Sequence, residues 1–437
     1  MKFISLCLKW KVLNSFCTIY TKTIEYFCFF VYNCFGVRSM IERKEYMNKL
    51  IGYKDKHIIK VITGVRRCGK STLLKLFQNY LRENGVETEQ IVAINFEAYE
   101  ADELRSPEKL YQYLTKRIVP GKMVYIFLDE VQCVTDFQRV IDSLFLKEYV
   151  DIYITGSNAY MLSGELATLL AGRYVEISML PFSFAEYVTA LKTENVDDAY
   201  RKYIEDSSFP FSLNLTHEQT AEYLSGIFDT IVVKDIITRK KYPDTMMLKS
   251  ILCFLLDNIG NQLSTKKISD MMQSNGRSIN VRTVESYIEA FLESYIVYQA
   301  KRYDVKGKQY LKTLDKYYIV DIGFRNVLLG NQGRDAGHIL ENVIYLELRR
   351  RGYDVFIGKV GSAEVDFVAK NTQGIKYIQV AATVRDPQTL ERELKPLQSI
   401  HDHYAKCVLT LDNDPEADYD GIRVINALDF LLNKTEI

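Results

Sequence analysis

Residues 64–71 read Gly64-Val65-Arg66-Arg67-Cys68-Gly69-Lys70-Ser71, and no other stretch constrains the fold of this chain as strongly. The spacing G-x-x-x-x-G-K-[ST] is that of a phosphate-binding loop, which works between a buried strand and the first turn of a helix. Both neighbours are present: Ile58 to Ile62 is a largely apolar run of strand length, and Thr72-Leu73-Leu74-Lys75-Leu76-Phe77 begins a helical pattern. The glycines let backbone N–H groups wrap an anion, and the helix N-terminus adds a favourable dipole. In such chemistry Lys70 reaches the β- and γ-phosphates and Ser71 ligates Mg²⁺. The candidate nucleotide-binding set is therefore Gly64, Arg67, Cys68, Gly69, Lys70, Ser71 and Thr72. A chance glycine-rich turn is the alternative, and the flanking strand and helix argue against it.

A second element points the same way. Met123-Val124-Tyr125-Ile126-Phe127-Leu128 is apolar throughout, as parallel strands buried on both faces are, and it ends in Asp129-Glu130. An acidic pair at the carboxyl end of such a strand lies on the sheet edge where ligands bind. Asp129 would hold Mg²⁺, directly or through water, and Glu130 would act as general base on the attacking water. Solubility alone would also place carboxylates at a strand end, but not in this order after a phosphate loop.

With 56 basic and 56 acidic residues among 437, the chain has no overall bias toward nucleic acid, so any such contact must come from a local patch. The eight cysteines form no C-x-x-C pair and no zinc spacing. His401, His403 and Cys407 come nearest to a metal cluster and read as scattered residues. Reduced thiols fit a cytoplasmic protein. Residues 1–39 differ from the rest, with Cys7, Cys17, Cys28, Cys34 and Trp10 and an aromatic run at Tyr26-Phe27-Cys28-Phe29-Phe30. Lys9, Lys11, Lys22 and Glu25 break this stretch into apolar pieces shorter than the ~20 residues a membrane span needs. It also lacks a signal-peptide cleavage pattern. A mis-annotated start, with translation from Met40, is the preferred reading; no stable membrane anchor is expected.

From residue 58 to about 190, strand runs alternate with helical patterns (Ile91–Phe96, Val124–Leu128, Val150–Ile154), which predicts a parallel sheet covered by helices. The last of these runs ends in Thr155-Gly156-Ser157-Asn158, where Asn158 would sense the γ-phosphate or orient water; a well-capped turn explains it equally. Arg173, after Ala171-Gly172, would supply charge to a phosphate of its own or a neighbouring subunit, or is a plain surface arginine. From about 200 to 330 the pattern is helical. Lys266–Met272 and Val281–Tyr295 are two helices, followed by Ile296-Val297-Tyr298, a turn at Lys306-Gly307-Lys308 and Tyr317–Val320, a winged-helix layout. Lys301, Arg302, Lys306 and Lys308 make the wing a candidate DNA contact, with Arg277 and Arg282 near the helix start. Glu285, Glu289 and Glu293 form an acidic stripe that opposes DNA and suits a protein partner. Beyond 331, a helix bearing Glu341 and a hairpin bearing Glu364 and Asp366 would cluster carboxylates around a divalent metal, but the third strand offers Gln379 and Ala381 where an acid and a lysine are needed.

The phosphate loop in its Val-Ile-Thr-Gly setting, Leu128-Asp129-Glu130-Val131-Gln132, and Thr155-Gly156-Ser157-Asn158 together resemble the prokaryotic AAA-type ATP-binding proteins with a C-terminal domain of unknown function. The resemblance runs from about Met40 to the C-terminus. It implies an α/β chain in three parts: a P-loop AAA+ parallel-sheet ATPase domain (40–200), a helical winged-helix domain (201–330) and a small α/β domain similar to PD-(D/E)XK nucleases (331–437). It implies ATP and Mg²⁺ at Lys70, Ser71, Asp129 and Glu130, with Arg173 matching a Gly-Arg of such proteins. Ser207-Ser208-Phe209-Pro210 replaces their usual Gly-Gly-Phe-Pro. Glu341, Asp366 and Gln379 fall at the nuclease's acidic positions and Ala381 at its lysine, so cleavage is expected to be lost. The leading expectation is an Mg²⁺-dependent ATPase whose nucleotide state arranges the two downstream domains. The alternatives are a nucleotide-gated DNA-binding regulator with little hydrolysis and an active nuclease. A homo-oligomer or protein partner is compatible with all three.

Overall fold

Five parallel strands carry the phosphate loop. In the computed structural model, which describes residues 41–159, 170–237, 244–277, 279–310, 314–330 and 335–437, they are β1 (Ile59–Thr63), β2 (Ile91–Asn95), β3 (Val124–Asp129), β4 (Val150–Gly156) and β5 (Tyr174–Ser178). Their order is β2-β3-β4-β1-β5, all parallel. The expected extension over residues 1–39 lies outside the described residues. β1, β3 and β4 are buried along their whole length, which is why each reads as a largely apolar run; Lys60 of β1 and Asp151 of β4 are exceptions, and they pair with each other. Ile59, Val61, Ile126, Leu128, Ile152 and Ile154 meet Leu110, Ile141 and Leu144 of the covering helices in one core. Because the sheet is parallel, the carboxyl ends of β1, β3 and β4 share one edge. The loop at Gly64, the pair Asp129-Glu130 and Ser157 are thereby neighbours.

A helical region follows. It includes α1 (His217–Thr230), a seven-residue π-helical stretch at Ile231–Ile237, α2 (Thr245–Asp257), α3 (Thr265–Ser274) and α4 (Val281–Glu293). Ser264 caps α3 by accepting from Lys267 N, as its position before the apolar repeat predicts. On α4, Glu285 and Glu289 are exposed while Val284, Tyr287, Ile288 and Phe291 are buried, so the acidic stripe faces outward. Two strands, β6 (Val297–Ala300) and β9 (Lys316–Ile319), pair antiparallel after it.

The excursion between those two strands departs from the expected layout. β7 (Arg302–Asp304) and β8 (Gln309–Tyr310), which flank the basic turn, belong to an eight-stranded mixed sheet with β10 (Asp354–Val360), β11 (Ala363–Asn371), β12 (Gly374–Ala381), β13 (Ala405–Thr410), β14 (Ala417–Tyr419) and β15 (Ile422–Asn426). β7 pairs parallel with β10, Ile357 opposite Arg302 and Lys359 opposite Asp304. The expected wing is thus an edge of the C-terminal sheet, and that sheet crosses the boundary expected at residue 330. Tyr303, Val305, Val360 and Val368 pack in one core on both sides of that boundary, and the burial of this apolar surface draws the hairpin over. Helix α5 (Ile322–Leu329) leads to α6 (Ala336–Arg350), whose residues from Leu340 to Leu348 are buried on every side.

Candidate nucleotide site

Gly64 leaves β1 at φ 143°, where a Cβ would lie 2.1 Å from the carbonyl oxygen of Met179; only glycine fits. Gly69, at φ 107°, opens the helix Lys70–Glu83, so the loop turns directly into a helix N-terminus. Lys70 is buried and its Nζ donates to the carbonyls of Gly64 (2.9 Å) and Val65 (3.1 Å). It stands 3.8 Å from Glu130 Oε1. Below the loop, Arg43 braces it. Its guanidinium donates to the carbonyls of Cys68, Leu180 and Pro181, pairs with Glu186, and stacks over Tyr46 and Phe182.

The acidic pair is held in two different ways. Thr155 Oγ1 donates to Asp129 Oδ1 and accepts from the backbone N–H of Glu130 at 2.9 Å, so β4 orients the end of β3. Burial pushes the Asp129 carboxyl up, and hydrogen bonds from Thr155 and Ser71 offset only part of that. The Ser71 hydroxyl and the Asp129 carboxylate therefore face each other as hard oxygen donors, a pair that suits Mg²⁺ completed by phosphate and water. Glu130 sits at φ 54°, a left-handed conformation that a non-glycine residue adopts at a cost of roughly 1 kcal/mol or more, and such residues gather at functional sites. Burial works against its charge, yet Lys70 and Arg66, with donors on Gln132 and Ser157, hold its carboxyl below the usual range. Ser157 Oγ donates to Glu130 Oε2 at 3.0 Å, and Gln132 Nε2 donates to the same oxygen. Glu130 is thus an oriented, ionised carboxylate at the loop.

A cavity of about 840 Å³ opens in front of the loop, large enough for a nucleotide. Arg67, Gly69, Lys70, Ser71, Thr72 and Glu130 line one side, and Phe211, Tyr223 and Gly226 line the far wall. Cys68 does not line the cavity; its thiol is buried and burial raises its pKa. Asn158 is buried just after Ser157. Arg173 is not brought to the site of its own chain. It precedes β5, beside the amino end of β1, where Ile59 N donates to its carbonyl. Five strand residues at about 3.3 Å each place it roughly 16 Å from the loop edge. It pairs there with Asp142 and lies over Phe145. The two motifs contain Arg66, Thr155 and Ser157 without assigning each a role, whereas nothing in the sequence links Arg43 to the loop.

Two further polar clusters lie outside this site. The Ser207-Ser208 turn is built around buried Asp321. Ser208 N donates to Asp321 Oδ2 at 2.6 Å, and both serine hydroxyls and Phe324 N also donate to its carboxylate. Both serine hydroxyls thus serve as donors to a buried carboxylate, which glycine at these positions would not supply. At the C-terminal sheet, Glu341, Glu364 and Asp366 do converge, but around Lys316. Its Nζ is 2.9 Å from Glu341, 2.8 Å from Glu364 and 3.7 Å from Asp366. Tyr318 OH also donates to Glu341. Burial, then the neighbouring Glu341 charge, pushes the Asp366 carboxyl up to about 7. Gln379 bonds Asp366 N and Glu393, and Ala381 is simply part of the sheet core. A lysine does stand among these carboxylates, supplied by β9. Among the described residues, no three His, Cys, Asp or Glu side chains are arranged to hold a metal ion, at His401, His403 and Cys407 or elsewhere. Lys316→Met would leave three carboxylates facing one another. We expect it to destabilise the chain by about 3–5 kcal/mol, read as a fall in the urea midpoint; an unchanged midpoint would remove the node from the stabilising contacts.

Residues 56–188 match the family described as AAA domain, and residues 197–335 match a domain of unknown function, DUF8612. An uncharacterized protein of Haemophilus influenzae is 39% identical over 400 residues, covering 90% of this chain and 99% of its own length. An uncharacterized protein of Methanocaldococcus jannaschii is 29% identical over 379 residues, 81% of this chain and 80% of its own. Among solved structures, the Walker-type ATPase of Pyrococcus abyssi covers 67% of this chain and 97% of its own, at 16% identity and TM-score 0.49. The Thermotoga maritima RuvB Holliday junction branch migration motor covers 59% and 88%, at 14% identity and TM-score 0.30. Among the described residues no helix is long and apolar enough to cross a membrane.

Proposed function

The chain belongs to the family of the Haemophilus influenzae protein, and from that membership and its AAA domain we propose that it is an ATP-binding protein that hydrolyses ATP with Mg²⁺. One observation carries the proposal: Lys70, Ser71, Asp129, Glu130 and Ser157 meet at a single sheet edge. Lys70 and the loop N–H groups would bind the phosphates, and Ser71 and Asp129 would hold Mg²⁺, which when bound neutralises phosphate charge. Glu130 would accept the proton of the attacking water, and Ser157 and Gln132 keep its carboxylate aimed. Asn158, one residue on, would sense the terminal phosphate. Arg173, at the opposite edge, would serve only a neighbouring subunit's nucleotide.

The downstream regions are read as what nucleotide state acts upon. Arg350 Nη2 donates to the carbonyl of Pro181, which Arg43 also binds, so α6 bears on the brace of the phosphate loop. The Lys316 cluster is read as a closed ion-pair node in a nuclease-like fold without cleavage. Phosphate release from ATP, followed with Mg²⁺ and with EDTA, tests the proposal. Metal-dependent turnover is expected, and neither binding nor turnover would overturn it. The same assay with duplex DNA tests the second reading, a DNA-binding regulator, which the exposed Lys301, Lys306 and Lys308 favour and the exposed Glu285 and Glu289 oppose.

A further inference from the structure

Arg66 is the third residue of the phosphate loop, and its side chain is committed elsewhere. Nε donates to Asp235 Oδ2 at 2.7 Å and Nη2 to Asp235 Oδ1 at 2.9 Å, a two-pronged pair 169 residues apart in sequence. Nη1 donates to Glu97 Oε1 at 2.9 Å. Asp235 is buried within the π-helical stretch Ile231–Ile237, which continues α1. Such stretches are rare and are found mostly at functional sites. Arg66 and Glu97 line the same cavity as Lys70, Ser71 and Thr72, and so do Gly226, Ile227 and Thr230 of α1. The pair therefore joins the phosphate loop to the region that forms the cavity's far wall.

A guanidinium fork fits a carboxylate and a phosphate equally well, and it cannot give both its full set of bonds. A triphosphate would enter a cavity that already holds Glu130 and Glu97, so a further cation beside Lys70 and Arg67 would help to balance its charge. We propose that Arg66 is a second phosphate-binding cation of the loop and that Asp235 competes with the nucleotide for it. The proposal rests on reading the loop as a nucleotide site. Phosphate binding and the docking of residues 231–237 then oppose each other. The coupling is reciprocal: whatever loosens the helix tightens nucleotide binding, and bound nucleotide loosens the helix.

The test is titration of the full chain with Mg-ATP and, separately, with inorganic tripolyphosphate. Asp235→Asn keeps the side-chain shape and removes the charge that holds Arg66. It should tighten both ligands by about 5-fold or more, the lower end of ordinary coupling. Glu97→Gln, at a half-exposed residue that puts folding at little risk, should tighten them less, in the same direction. In an Arg66→Ala background the gain from Asp235→Asn should vanish. No gain in either single variant overturns the proposal and leaves the bridge as packing only. An equal gain with Arg66 absent also overturns it, because removal of negative charge would then suffice. If neither the wild-type chain nor the variants bind either ligand, the nucleotide reading itself falls, and this inference with it.

Discussion

Glu130→Gln is expected to leave ATP bound and to slow its turnover by about 10²–10⁴-fold, the factor a positioned general base supplies. Glutamine keeps the length and planarity of the side chain. The donors on Ser157 and Gln132 would still meet a carbonyl oxygen, so the loop should keep its geometry. What disappears is the group able to take a proton. The environment suits that role, since Lys70 and Arg66 outweigh burial and keep the carboxyl ionised at neutral pH. Fluorescent-nucleotide titration reads the retained binding, and phosphate release reads the lost step. Turnover at the wild-type rate would mean that another group activates the water.

Lys70→Ala acts one step earlier. It removes the buried ammonium at the head of the loop helix and should weaken ATP binding by about 3 kcal/mol, roughly 100-fold in Kd. It also removes the foremost of the charges that hold down the Glu130 carboxyl, so any residual turnover should favour higher pH than in the wild-type chain. The same titration checks the first effect, and a pH series of phosphate release checks the second. Undiminished affinity in this variant would place the nucleotide elsewhere.

The phosphate loop was legible because its chemistry is local. The glycines and the lysine at the head of a helix fall at fixed spacing within eight residues, and the strands behind them are largely apolar because both faces are covered. Contacts made at long range were not legible. Nothing near Arg66 announces Asp235, and nothing near Lys316 announces Glu364, because each pair forms only when separate elements dock. Arg173 shows the reverse failure. A glycine-arginine turn says nothing about which end of a strand it precedes, and register alone places it beside Ile59 rather than Thr63. The hairpin expected from Ile296–Tyr298 and Tyr317–Val320 corresponds to the β6–β9 pair, but the turn at Lys306–Lys308 belongs to a second pair, β7–β8. Which sheet would receive it depended on the cross-strand partners Ile357 and Lys359, some fifty residues further on.

That hairpin has a mechanical consequence. With β7 and β8 bonded into the C-terminal sheet, strands from both sides of residue 330 share one set of ladder hydrogen bonds. A rearrangement that separated the helical region from the eight-stranded sheet would have to break that ladder, so the β7–β8 turn and its exposed lysines stay tethered to the sheet. On the amino side, the carbonyl of Pro181 accepts from Arg350 and the Ser207-Ser208 turn grips Asp321.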